Sequence, residues 1–169
     1  MRPAALAIAM GLAAPAQAQD GWTDVEAGKR HDKSGLVCPA EAGGFELKSA
    51  SGDAASFNCR YELRCRAAEG CTHAVGFASV TWDPAKDFAA QFTGLAASQK
   101  LALVADPTEP AWAGPPRLFA TGGAGENASY AGWWLIHSNG QPLDIGVLYN
   151  AAGEEAANAL VGATALANP

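Results

Sequence analysis

The sequence has none of the short motifs by which common enzyme classes are recognised. It lacks a G-x-S-x-G nucleophile elbow, an H-E-x-x-H zinc motif, a phosphate-binding P-loop and a pair of carboxylates arranged for acid–base catalysis. The glycine-rich stretch Gly122–Gly125 lies between predicted strands rather than before a helix, so it is predicted to be a turn and not a phosphate cradle. These absences favour a protein that is not an enzyme, and no cofactor is expected.

Positive charge is also scarce. The chain has 11 Lys and Arg residues against 17 Asp and Glu residues, and no Lys or Arg follows Arg117. This balance argues against nucleic acids and anionic membrane surfaces as partners. Long apolar runs are missing too, since the run Ala4–Ala14 is well below the roughly 20 residues that span a bilayer.

The apolar run has the features of a cleaved signal peptide instead. Arg2 precedes it, and Ala16-Gln17-Ala18 follows it as the small-x-small pattern that signal peptidase recognises. Residues 1–18 are therefore predicted to be removed, which leaves a mature chain of 151 residues, a length that suits one domain. The short leader is typical of bacteria, so we expect a periplasmic or secreted protein without membrane insertion after cleavage.

Four cysteines lie within 34 residues, at positions 38, 59, 65 and 71. In an oxidising compartment an even number of cysteines predicts disulfides, and four of them allow three pairings. The segment Phe57–Arg66 alternates apolar and polar residues and is predicted to be a strand. Cys59 and Cys65 would lie about 20 Å apart on it, whereas a disulfide needs its Cα atoms within roughly 7 Å. These two cysteines are therefore not expected to pair.

A hairpin selects between the two remaining pairings. If residues 66–70 form its turn, Cys71 opens the returning strand opposite Cys65. We therefore predict the disulfides Cys65–Cys71 and Cys38–Cys59. A zinc site made by Cys59, Cys65, Cys71 and His73 is disfavoured, because structural zinc sites usually separate paired cysteines by roughly two to four residues. No metal is expected, and without a C-x-x-C motif a dithiol redox site is not expected either.

The rest of the chain predicts an α+β class, with an antiparallel sheet of about six strands and two main helices. Residues 19–35 are polar and are predicted to form a flexible arm with at most one turn of order, while residues 36–169 form a single disulfide-stapled domain. One helix begins at Asp83-Pro84 and carries an apolar stripe, and the other begins near Glu154. The stripe residues are Phe88, Phe92 and Leu95. The six predicted strands are 45–48, 57–66, 72–82, 117–121, 129–138 and 141–150, and residues 101–105 are a candidate for a further short strand.

The last two strands are predicted to form a hairpin around Asn139-Gly140, a typical type I′ turn. A two-residue turn fixes the register, with Ser138 opposite Gln141 and Tyr130 opposite Tyr149. One face of this hairpin is predicted to be the core face, and it carries Tyr130, Trp134, Ile136, Leu143, Ile145, Val147 and Tyr149. The opposite face is too apolar for open solvent, and the final helix is one element that could cover it.

That opposite face contains the candidate functional residues. Trp133, Leu135 and Leu148, together with Trp112 in the proline-rich connection, are predicted to form a binding surface. His137 and Asp144 occupy diagonal positions roughly 7 to 8 Å apart and could act as an acid–base pair. No activated nucleophile lies near them in sequence, so a structural histidine beside a turn is the favoured interpretation.

The order of these elements resembles the Mog1/PsbP-like α/β/α sandwich. The segments Ser34-Gly-Leu-Val-Cys-Pro39 and Gly43-Gly-Phe45, followed by Asn58-Cys59 and Tyr61, are similar to uncharacterised exported proteobacterial proteins of this build. The resemblance covers most of the mature chain as an order of elements, and no site residue is carried over from it. It implies an accessory or binding protein rather than an enzyme.

The leading hypothesis is therefore a non-enzymatic periplasmic accessory or binding domain whose partner is an unknown protein or small ligand. A small hydrolase that uses His137 and Asp144 is the first alternative. A structural envelope protein is the second.

Overall fold

The structure is a computed structural model that describes residues 21–64, 74–87, 90–91, 94, 102–104, 117–122, 128–138 and 140–169. Within this part, eleven strands form a sheet of three strands and a sheet of eight. The small sheet has the order β1-β2-β3, and the large sheet has the order β4-β5-β6-β7-β11-β10-β9-β8, with antiparallel neighbours throughout. The strands are β1 (Trp22–Val25), β2 (Gly28–His31), β3 (Val37–Pro39), β4 (Glu41–Ala42), β5 (Phe45–Gly52), β6 (Phe57–Arg64), β7 (Val75–Trp82), β8 (Ala102–Val104), β9 (Arg117–Gly122), β10 (Ser129–Ser138) and β11 (Gln141–Asn150).

The predicted α+β class with two main helices is wrong. The described part of the chain is mostly β, and its one long helix is the C-terminal helix α1 (Glu154–Ala167), which follows a 3-10 turn at Ala151–Gly153. The α/β/α sandwich predicted with that class is wrong for the same reason. The stripe Phe88, Phe92 and Leu95, on which the other main helix was predicted, lies outside the described residues.

Asp83 does not cap a helix as the Asp-Pro pair predicted. Its carboxylate accepts a hydrogen bond from the backbone N–H of Ala85 at 3.1 Å, inside a turn. The carboxylate of Asp87 instead accepts the N–H of Ala90 at 3.0 Å, and Ala90 and Gln91 are helical. Among the described residues, the aspartate that accepts a helical N–H here is therefore Asp87, four residues after Asp83.

The predicted flexible arm is wrong for most of its length, because residues 22–31 form the hairpin of β1 and β2. Trp22 and His31 are opposite each other and are both buried, while Asp24 and Lys29 form an exposed ion pair at 2.7 Å. Trp22 packs edge-on against Phe57 of the large sheet, with ring centroids 5.3 Å apart. Two inward aromatic side chains thus attach the small sheet to the large one.

The predicted disulfide Cys38–Cys59 is confirmed. It connects β3 of the small sheet to β6 of the large sheet, with Cα atoms 6.4 Å apart. Cys65 and Cys71 lie outside the described residues, so the second pairing remains a prediction.

The predicted register of the β10–β11 hairpin is confirmed over its whole length. Ser138 pairs with Gln141, Trp134 with Ile145, and Tyr130 with Tyr149. The core face carries buried side chains from both strands, and α1 packs on this same face through Ala157, Leu160 and Val161. The final helix therefore covers the core face of the hairpin and not the face that carries Trp133.

Glycines on the core face make room for aromatic rings that lie across the sheet. A Cβ atom at Gly132 would stand 2.4 Å from Cη2 of Trp134, and one at Gly76 would stand 2.7 Å from Cζ of Phe45. Such contacts are far closer than van der Waals packing allows. The two glycines thus allow Trp134 and Phe45 to fill the layer between the sheet and α1.

The chain end is fixed by the side chain of Asn168. Its Oδ1 accepts the N–H of Val37 at 2.6 Å, and its Nδ2 donates to the carbonyl oxygens of Val37 and Thr164 at 2.9 and 2.8 Å. This amide therefore joins the end of α1 to the backbone of β3. None of the described helices is long and apolar enough to cross a membrane.

Candidate functional site

The face of the large sheet opposite α1, here called the outer face, contains a groove of about 730 Å³. Residues from the five strands β5, β6, β7, β10 and β11 line it. Its volume lies within the roughly 300 to 1,000 Å³ of small-molecule sites. The groove is therefore large enough for a small organic ligand.

One row of residues across four strands forms the floor and the two ends of the groove. Ser79 of β7 is opposite Arg60 of β6 on one side and opposite Gly146 of β11 on the other, and Gly146 is opposite Trp133 of β10. Ser79 and Gly146 are small, so the sheet surface in the middle of the row lies below the side chains at its two ends. We call these four residues, Arg60, Ser79, Gly146 and Trp133, the groove row.

Gly146 also determines where the indole of Trp133 lies. A Cβ atom at position 146 would stand 3.1 Å from Nε1 of Trp133, so the ring extends over the glycine. A larger residue at position 146 would displace the ring from the end of the groove. The outer face thus repeats the arrangement of Trp134 over Gly132 on the core face.

The next row of the sheet forms an apolar wall along the groove. Phe77 is opposite Leu148, and Leu148 is opposite Ala131. The side chain of Phe77 is 56% exposed and that of Leu148 is 46% exposed, and Val75 beside them on β7 is exposed as well. Among the described residues the other exposed large apolar side chain is Leu166 on α1. Exposed apolar surface is therefore concentrated at this wall.

The groove end on β5 and β6 is charged. Lys48 lines it and forms an ion pair with Glu46, while Glu62 lines it and takes part in an interaction within the chain. Arg60 is exposed, and none of the hydrogen bonds or ion pairs of the described residues involves its guanidinium. Among the described side chains at this end, Arg60 is therefore a cation that can bind an added anion.

The structure places the predicted binding residues unequally. Trp133 and Leu148 both line the groove. Leu135 is on the same face, opposite Asp144, but does not line the groove, and Trp112 lies outside the described residues. The sequence interpretation missed Phe77 and Arg60 as groove residues. The pairing of β7 with β11 brings Phe77 next to the hairpin, and the pairing of β6 with β7 then places Arg60 one strand further away.

His137 and Asp144 do not form the arrangement that a general base needs. His137 is exposed, Asp144 is partly buried, and the hydrogen bonds and ion pairs of the described residues include none between them. Burial raises the pKa of Asp144 to about 6, against an opposing effect from the positive charge of Lys86. Without a contact the carboxylate cannot orient the imidazole, so the geometry gives no support to the hydrolase hypothesis.

His31 is a structural residue within a cluster of aromatic rings. Its Nε2–H donates to the carbonyl oxygen of Asp53 at 2.8 Å, and its Nδ1 lies 3.0 Å from Oγ of Ser34. The rings of Trp22, Phe57 and Trp82 surround it at centroid distances of 5.1 to 5.6 Å. Both ring nitrogens are occupied, so His31 offers no position to a ligand.

The zinc site that the sequence disfavours would use Cys59 as a ligand, but Cys59 is bonded to Cys38. In the part of the chain that the structure describes, no group of three or more His, Cys, Asp or Glu residues could hold a metal ion.

Comparisons with protein-family models, with curated proteins and with solved structures found no match to this chain. The resemblance to exported proteobacterial proteins therefore stays a prediction. Any proposal on function has to be argued from the groove itself.

Proposed function

We propose that this protein is an exported, non-enzymatic binding domain that holds a small, largely apolar ligand in the groove of the outer face. The observation that carries the proposal is the pair Phe77 and Leu148, two large apolar side chains that stand about half exposed along the groove. Exposed apolar side chains collected beside a concave surface are typical of binding sites. The buried disulfide Cys38–Cys59 supports export, since such bonds persist mainly in oxidising compartments.

The shape of the groove suits a ligand that lies flat on the sheet. Ser79 and Gly146 give a low floor, Trp133 closes one end, and the wall of Phe77 and Leu148 offers apolar contact along one side. A ligand that covers this wall would remove apolar surface from water, and each Å² removed would stabilise the complex by roughly 25 cal/mol. The wall is therefore the main source of affinity in this proposal.

The proposal is tested by titrating the purified chain with the neutral dye Nile red and following its fluorescence. We expect saturable binding to the wild-type chain. Phe77→Ser and Leu148→Ser should each weaken binding about fivefold, because each removes about 1 kcal/mol of apolar contact. Leu166→Ser is the matched control, since Leu166 is 84% exposed but lies on α1, away from the groove.

Two results would overturn the proposal. The first is an absence of saturable binding, or an equal loss of binding in Leu166→Ser. The second is a set of chemical cross-links that places residues 88–101, which belong to the connection between β7 and β8, against Phe77 and Leu148. In that case the chain itself occupies the outer face, and the wall is part of a second core.

A further inference from the structure

The groove is polar at one end and apolar at the other. Arg60 is at the β6 end of the groove row and Trp133 is at the β10 end, three strand spacings away. At about 4.8 Å per spacing the row is about 14 Å long. A ligand that fills it therefore has a charged or polar head, an apolar body and an elongated shape.

Arg60 decides the chemistry of the head. A guanidinium presents a planar fork of N–H donors that matches a carboxylate with two parallel hydrogen bonds. Arg60 is opposite Ser79, and Ser49 also lines this end, so hydroxyl donors stand beside the guanidinium. Lys48 is neutralised by Glu46, and Glu62 has its own interaction within the chain.

The uneven charge of the groove lining fixes the direction in which the ligand lies. The described residues that line the half of the row ending at Trp133 include no cation, and Asp144, two residues from Gly146 on the same face of β11, lies beside that half without lining the groove. Attraction by Arg60 therefore places an anionic head at the β6 end.

The spacing of residues along the strands sets where the apolar body lies. Residues on one face of a strand are about 7 Å apart, so an alkyl chain that lies on the groove row runs alongside the wall of Phe77 and Leu148 and contacts it along its length. Resting on the proposed function, we infer that the groove binds free, single-chain monocarboxylates. Arg60 binds the carboxylate, and the alkyl chain extends over Ser79 and Gly146 to Trp133.

The inference is tested by isothermal titration of the full chain with decanoate and with decanol, which share the alkyl chain but differ in the head. The wild-type chain should bind decanoate at least about tenfold more tightly, because hydrogen bonds to a charged partner are the strong ones. Arg60→Gln should remove this preference, because it weakens the binding of decanoate more than the binding of decanol. Arg30→Gln, which replaces an exposed arginine on β2, should keep the preference.

The outcomes separate this inference from the proposed function. Equal affinities for decanoate and decanol in the wild-type chain, or a preference that survives Arg60→Gln, would overturn the role of Arg60 and leave groove binding intact. Failure of decanoate, decanol and Nile red alike would overturn both. A loss of Nile red binding in Arg60→Gln would show that this variant has changed the groove. Arg60→Lys, which keeps the positive charge but not the planar set of N–H donors, then tests the inference and should show a reduced preference for decanoate.

Discussion

Alternate residues of the same strands form the two faces of the large sheet, and the two faces differ in how far their side chains are buried. On β10, Trp134 lies over Gly132 on the core face and is 1% exposed, while its neighbour Trp133 lies over Gly146 on the outer face and is only partly buried. Both faces therefore use an indole over a glycine. The difference lies in what packs on top, because α1 covers the core face and none of the described helices or strands packs on the outer one.

The core face is closed by attachments outside the sheet itself. Asn168 joins the end of α1 to β3, and a Cβ atom at Gly43 would stand 2.6 Å from Cβ of Ala159, so the β4–β5 turn approaches the helix closely. The amount of apolar surface on a strand face thus does not determine whether that face becomes a core. The anchors that hold a cover in place determine it.

The largest expected effect tests the difference between the two tryptophans. Trp134→Ala should lower the free energy of unfolding by about 4 kcal/mol, because it leaves a large cavity in a packed layer. Trp133→Ala should lower it by about 1 kcal/mol, because the lost contacts are partly solvated. Urea unfolding of both variants measures the two values, and equal losses would show that the outer face is as closely packed as the core.

The next effect concerns the disulfide, which belongs to the core face only. Replacing both Cys38 and Cys59 by alanine should lower the free energy of unfolding by about 3 kcal/mol, since the bond closes a loop of 21 residues. Nile red binding by the folded double variant should remain unchanged, because the groove is on the opposite face. A loss of dye binding under conditions where circular dichroism shows a native fold would contradict the independence of the two faces.

The parts of this fold that the sequence predicts correctly depend on local geometry. A two-residue Asn-Gly turn permits one register, so every pair from Ser138 and Gln141 to Tyr130 and Tyr149 followed from the turn alone. The bond Cys38–Cys59 followed from the alternation in β6, which excluded the pair Cys59 and Cys65, together with the predicted hairpin at residues 66–70, which selected between the two remaining pairings.

The errors come from contacts that are distant in sequence. The pairing of β7 with β11 places Phe77 beside Leu148, and no local pattern predicts which strands become neighbours. The strands of the β1–β2 hairpin have four residues each and carry charged side chains, so Trp22 alone does not give the alternating apolar pattern that predicts a strand. The burial of His31 depends on Trp82, which is far along the chain. The face that α1 covers is likewise set by Asn168, which binds a strand 131 residues away.

The last expected effect has the opposite sign and concerns the outer face. Burial raises the pKa of Asp144 to about 6, so its ionised form costs free energy in the folded chain but not in the unfolded one. Its contribution to stability is fully present below the unfolded pKa of about 4 and is lost as the pH rises through about 6. Asp144→Asn should therefore raise the free energy of unfolding by roughly 2 kcal/mol at pH 7.5 and change it little at pH 4.

Urea unfolding between pH 4 and pH 8 measures this difference, with Glu26→Gln as the control at an exposed carboxylate in the β1–β2 turn. The control should differ from the wild-type chain by a similar small amount at every pH. A difference for Asp144→Asn that does not grow with pH would mean that the carboxylate is solvated. Asp144 would then not destabilise the folded chain. A charge that destabilises the fold and is still present is typical of a binding surface and not of a core, so the outer face would lack this sign of a binding role.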